Sequence, residues 1–102
     1  MAIDYDLILR GGVVLDPAQN IPGQMDVAFR AGKVATLSPR VDGTATEVVN
    51  VAGKLVTPGL IDLHGHFFHR AQPLFVDPDA TCLPVGVTTA VDAGSAGWAT
   101  FA

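Results

Sequence analysis

At 102 residues, 49% hydrophobic and 16% charged, the chain has the composition of a folded globular protein but not the length of a complete (β/α)8 barrel, which takes about 250 residues. Six basic and ten acidic residues leave a formal charge of −4, which excludes the basic face that nucleic-acid binding requires. One cysteine, Cys82, excludes an internal disulfide framework; with no signal-peptide pattern and no apolar run of membrane-spanning length, the expectation is a cytoplasmic protein with neither nucleic acid nor membrane as partner.

Residues 5–57 read as short strands divided by glycine turns, rich in β-branched side chains and without a helical period. Along 5–10 the chain alternates, Leu7 and Leu9 facing one way and Asp6, Ile8 and Arg10 the other. Gly11-Gly12 offers the positive φ angles of a tight hairpin turn, 13–15 returns, and Asp16-Pro17 breaks the pattern. A second hairpin is expected between 25–29 and 33–37 across Arg30-Ala31-Gly32, and a third between 47–51 and 54–56 across Ala52-Gly53. The acids Asp4, Asp6, Asp26 and Glu47 and the lysines Lys33 and Lys54 are read as solvent-facing. Residues 1–57 are thus expected to form a β-sandwich-like scaffold without chemistry of its own.

After Pro58-Gly59 the character changes. Residues 60–66 form a mostly apolar strand, of the kind covered on both faces, and end in His64 and His66. On a strand, side chains two apart leave on the same face about 6.6 Å apart, whereas a helix would splay them. A histidine on a strand is commonly a plain surface or hydrogen-bonded residue. Two on one face at a strand end can converge on one divalent metal ion at about 2.0–2.1 Å each. Asp62 shares their face, where it would either orient a ligand ring or tie the strand to its neighbours. His69 and Arg70 follow in a loop, a place for substrate contacts, although an exposed loop histidine is usually idle. Asp77 reads as a helix N-cap with Pro78 in the first helical position, and Pro84 and Gly86 end the helix quickly. Cys82, inside that helix and without a basic neighbour, reads as a buried structural thiol. Residues 87–91 make a second β-branched strand, and 92–97 a loop in which Asp92 and Ser95 either meet substrate or, for Asp92, cap the backbone amides of the turn. Strand, helix, strand is the unit of a parallel sheet, in which function collects at the C-terminal strand ends.

The segment Val56-Thr57-Pro58-Gly59-Leu60-Ile61-Asp62-Leu63-His64-Gly65-His66 resembles the first-barrel-strand signature of the amidohydrolase superfamily, metal-dependent hydrolases that include dihydroorotases, hydantoinases and N-acyl deacetylases. The stretches 4–12 and 50–54 are similar to that superfamily's N-terminal segment, so the resemblance covers nearly the whole chain. It implies an α/β fold, the start of a (β/α)8 TIM-type barrel over 58–102 behind the scaffold of 1–57. It also implies one or two divalent ions, zinc foremost, held by His64 and His66, and hydrolysis of a carbon–nitrogen, amide-type bond in a small-molecule substrate by metal-activated water. The lysine, later histidines and aspartate that such enzymes add have no counterpart here. The chain is therefore expected to be the N-terminal part of a larger, homo-oligomeric enzyme, and to be inactive alone. Dihydroorotases typically carry an arginine two residues after the second histidine, where this chain has Phe68, while 87–97 look like the deacetylase-type branch. N-deacylation is the expected reaction and cyclic-amide hydrolysis the alternative; a non-catalytic scaffold relative that has lost the metal is the rival from another class.

Overall fold

A computed structural model of the chain describes residues 2–21, 23–68 and 75–95. The chain divides into two compact units, Met1–Pro58 and Gly59–Ala102.

The first unit is a five-stranded sheet made of β1 (Tyr5–Val14), β2 (Gly23–Arg30), β3 (Lys33–Ser38), β4 (Ala45–Asn50) and β5 (Leu55–Val56). Its order is β3-β2-β1-β4, with β5 also on β1. It is one sheet and not the two facing sheets of a sandwich, among the described residues. The expected hairpin between β2 and β3 forms. Arg30 pairs with Lys33, and Ala31 and Gly32 take φ of 51° and 74°, the doubly positive geometry whose twist suits a two-residue hairpin. The Asp6 carboxylate accepts the Ala31 N–H at 2.6 Å and pins that turn from the neighbouring strand.

The two other expected hairpins do not form. Gly11-Gly12 lies inside β1, as a bulge: Leu9 pairs with Val27 and Gly12 with Met25, so β1 carries one extra residue there. Each glycine has its own reason. Gly11 takes φ +71°, and a side chain on Gly12 would lie 2.6 Å from a Val56 methyl. β4 and β5 both run parallel to β1 and not antiparallel to one another. Val51 donates to Arg10 O at 2.9 Å, the chain steps outward through a turn closed by Lys54 N–H on Val51 O at 3.0 Å, and Val13 donates to Lys54 O at 2.9 Å. A single edge of β1 thus receives both segments in the same direction, which no tight hairpin could achieve.

The core is small: Ile8, Ala28 and Val41 are buried, with Tyr5 and Ala45 packed against them. Beside it sits Asp26, read from the sequence as solvent-facing but only 3% exposed. Its carboxylate accepts Gly11 N–H at 2.9 Å, Val41 N–H at 3.0 Å and the Arg10 guanidinium at 2.7 Å, and Arg10 also donates to Val41 O at 2.9 Å. The bulge is what aims the Gly11 amide at this carboxylate. Burial pushes the Asp26 carboxyl up, but the Val41 and Gly11 amides and the Arg10 guanidinium together hold it below the ordinary carboxylate value. Asp4, Asp6 and Glu47 are exposed as expected.

The second unit contains β6 (Leu60–Gly65), the short helix α1 (Pro78–Thr81), a single 3-10 turn (Leu83–Val85) and β7 (Val87–Asp92). β6 and β7 pair in parallel. Asp77 caps α1, its side chain accepting from Asp79 and Ala80 N–H, and Pro78 opens it. Gly86, at φ 84°, ends the 3-10 turn and donates to Leu83 O; its own carbonyl accepts Leu60 N–H at 2.9 Å, which ties the end of the connection to the start of β6. Cys82 is buried, at the end of α1. No helix among the described residues is long and apolar enough to cross a membrane.

Candidate metal centre at the strand ends

β6 delivers His64 from within the strand and His66 just beyond it. The extended backbone sends both rings to one side, where their centroids lie 5.9 Å apart with planes at 87°. Rings bound to one ion through bonds of about 2.0–2.1 Å have centroids roughly 5–6 Å apart. His64 is exposed and His66 half-buried. Nδ1 of His66 is shut off from solvent and has no hydrogen-bond partner among the described residues. A buried polar atom left unpaired costs about 1–3 kcal/mol, so this nitrogen calls for a metal, a water or a group outside the described residues. Two converging imidazoles and one orphaned ring nitrogen fit a divalent ion that neutral histidines bind well. They are an incomplete set, since no group of three or more His, Cys, Asp or Glu converges among the described residues.

The backbone around His66 is held from several directions. Gly65 O accepts Ala93 N–H at 2.7 Å, and His66 O accepts Val76 N–H at 3.0 Å. Asp92 Oδ1 accepts Phe67 N–H at 2.9 Å and Asp92 Oδ2 accepts Ser95 N–H at 2.9 Å. The Ser95 hydroxyl donates to Asp92 Oδ1 and accepts Phe68 N–H at 3.4 Å. Gly65 and Asp92 are register partners at the ends of β6 and β7, which is why the acid reaches the loop after the histidines. The Phe67 ring lies where a Gly65 side chain would be, so any residue but glycine between the histidines would collide with it.

The structure therefore brings His64, His66, Asp92 and Ser95 into one neighbourhood and gives Asp62 a different task from either expected. Its Oδ1 accepts the backbone N–H of His64, two residues on in the same strand, at 3.0 Å. The carboxylate holds the main chain of the first histidine, with neither a ring nor a neighbouring strand as its hydrogen-bond partner among the described residues. Asp92 does cap the turn amide at Ser95, and also takes the Phe67 amide from the loop after β6, a contact between residues 25 apart that no local pattern announces. Phe67 itself was missed; the only cue was the glycine set between two histidines. His69 and Arg70 lie outside the described residues.

No family model matches the sequence. Among curated proteins, the chain is 32% identical over 97 residues to a deacetylase of Enterococcus faecalis, covering 93% of this chain and 25% of that protein. It is 40% identical over 62 residues to a dihydroorotase of Syntrophus aciditrophicus, covering 59% of this chain and 15% of that protein. Among solved structures, a dihydroorotase superposes with a TM-score of 0.75 at 26% identity, over 92% of this chain and 25% of that one. A D-aminoacylase whose structure concerns its binuclear metal centre superposes with a TM-score of 0.65 at 38% identity, over 86% of this chain and 18% of that one. The chain thus spans a quarter or less of the length of these proteins.

Proposed function

The chain belongs to the amidohydrolase superfamily, and from that membership we propose that it supplies the first two metal ligands, His64 and His66, of a hydrolase acting on a carbon–nitrogen bond of amide type. The substrate class is an N-acylated small molecule, cleaved by deacylation. The observation that carries the reading is the pair of rings 5.9 Å apart with an unpartnered, buried Nδ1 on His66. A bound divalent ion supplies a water acidified towards neutral pH and a polarised carbonyl. The chain's own residues supply placement. Asp62 holds the His64 main chain, Gly65 leaves room for the Phe67 ring, and the ends of β6 and β7 set both imidazoles on one side. Catalytic zinc usually takes three protein ligands, so further donors, and the base, come from outside the described residues. The parallel pairing of β6 and β7, with polar residues at their C-terminal ends, supports reading them as the opening strands of a (β/α)8 barrel.

Deacylation is favoured over cyclic-amide hydrolysis by Phe68, which stands where dihydroorotases typically place a substrate-gripping arginine, and by the match to a deacetylase along 93% of the chain. The test is metal analysis of the complete protein beside a His64→Ala, His66→Ala double variant, with both assayed on N-acyl amino acids and on cyclic amides. The expected result is bound metal and N-acyl hydrolysis in the parent, and loss of both in the variant. Metal and activity retained by the variant would refute the ligand assignment. A parent with neither bound metal nor hydrolysis of either substrate class would point to the non-catalytic relative that has lost the metal.

A further inference from the structure

From the bonds that converge on one short loop, we infer that Asp92 and Ser95 are positioning residues for the His66 ligand: together they form a clamp, built on the end of β7, that fixes the main chain carrying this imidazole before any metal arrives. The inference rests on the metal-ligand reading of His64 and His66 and adds a part that reading does not contain.

Three contacts reach across from 92–95 to 65–68, and they bracket His66. On its N-terminal side Ala93 N–H bonds Gly65 O at 2.7 Å. On its C-terminal side Asp92 Oδ1 takes Phe67 N–H at 2.9 Å, and the Ser95 hydroxyl takes Phe68 N–H at 3.4 Å. The clamp is itself braced, since Ser95 returns both its N–H, at 2.9 Å, and its hydroxyl proton to the Asp92 carboxylate. An ionised carboxylate accepting amide protons makes bonds about twice as strong as neutral ones. Such bracing acts on ring placement more than on overall stability. A ligand displaced by a fraction of an ångström no longer meets the ion at its bond length, and partners behind metal ligands are typically worth 10–100-fold in affinity. Among the described residues the side-chain bond beside His64 comes from its own strand's Asp62. The side chains that brace the two ligands thus belong to different elements, Asp62 of β6 for His64 and Asp92 and Ser95 at the end of β7 for His66.

Chelator competition for Zn²⁺ in the complete protein tests this, with thermal unfolding of the metal-free forms measured in parallel. Asp92→Ala is expected to weaken zinc binding by about 10–100-fold. Asp92→Asn, which keeps an acceptor for Phe67 N–H, should fall between Asp92→Ala and the parent. Ser95→Ala, the mildest change and the variant to rely on if Asp92→Ala does not fold, should weaken zinc at the low end of that range. A purely structural role predicts something else: a lower melting temperature with zinc affinity unmoved, and that outcome would overturn the clamp. His64→Ala in the same titration separates the two levels. If it loses zinc while Asp92→Ala and Ser95→Ala bind like the parent, the clamp alone is wrong; if it binds zinc normally, the ligand reading fails and the clamp with it.

Discussion

In the unit Met1–Pro58 the buried carboxylate of Asp26 collects the Gly11 and Val41 amides and the Arg10 guanidinium, whereas in the unit Gly59–Ala102 the buried Nδ1 of His66 has no partner among the described residues. The apolar side of the comparison runs the same way. The first unit encloses Ile8, Ala28 and Val41, but in the second Cys82 is the sole buried apolar residue among those described, and Leu63 and Ile61 of β6 stand 73% and 61% exposed. A polar group that is satisfied by its own unit holds a fold together, while one left unsatisfied is available to something else. The difference teaches where to look for chemistry. Among the described residues the ion pair is that of the Arg10–Asp26 network, and its completeness marks it as scaffold; the incomplete imidazole pair is the better candidate for function.

Removing Asp26 should break the first half of that contrast most sharply. Asp26→Ala strands the Gly11 and Val41 amides and leaves Arg10 without its anion. Losing one member of a fully buried pair costs about 3–5 kcal/mol. The Arg10 side chain is 25% exposed and can recover some hydration, so the expected loss is about 2–4 kcal/mol. Urea unfolding gives the magnitude, and hydrogen exchange should locate the loss in the amides of β1 and β2. A shift of a few tenths of a kcal/mol would mean that the network is ornamental and the contrast misdrawn.

Acid offers a gentler probe of the same group. The folded pKa of Asp26 lies below its unfolded value of about 3.9. As pH falls, the unfolded chain therefore takes up this proton first, and stability drains away. The contribution is fully present above about pH 4–5 and is lost as pH drops through the depressed folded pKa. In Asp26→Asn nothing titrates at this site. The stability gap between parent and Asp26→Asn should therefore be constant near neutrality and narrow below about pH 4. Asp4, held down by hydrogen bonds from the Thr44 amide and hydroxyl, is present in both proteins and cancels. A gap that stays flat to low pH would show that the Asp26 carboxyl is not depressed.

The same contrast explains what could be read from the sequence. Local rules sufficed wherever a neighbour in the chain decides the outcome: Ala31-Gly32 makes its hairpin, Asp77-Pro78 starts its helix, and alternation puts His64 and His66 on one side. They failed wherever a partner distant in sequence decides. Gly11-Gly12 looks like a turn until Asp26, fifteen residues away, claims the Gly11 amide. Residues 54–56 look like the return arm of a hairpin until β1 offers an open parallel edge. Asp26 itself looks like any strand acid, because nothing adjacent to it announces Arg10 or Val41. In the site, the histidine spacing was legible, but the link from Asp92 to Phe67 spans 25 residues and follows from strand register.

The smallest expected effect sharpens the second half of the comparison. α1 has four residues, too short to hold itself by helix propensity. Its first turn is fixed by Asp77, whose Oδ1 accepts Asp79 N–H at 2.9 Å and Ala80 N–H at 3.2 Å, while its carbonyl accepts Thr81 N–H at 3.0 Å. Asp77→Ala removes the side-chain bonds and keeps the carbonyl one, so the loss should be about 1 kcal/mol, with Asp77→Asn restoring most of it. The readout is faster hydrogen exchange at Asp79 and Ala80 in the complete protein, with the amides of β1 and β2 unchanged. If those two amides exchange at the parent's rate in Asp77→Ala, then packing and not the cap holds this connection, and the second unit is more self-sufficient than its exposed apolar residues imply.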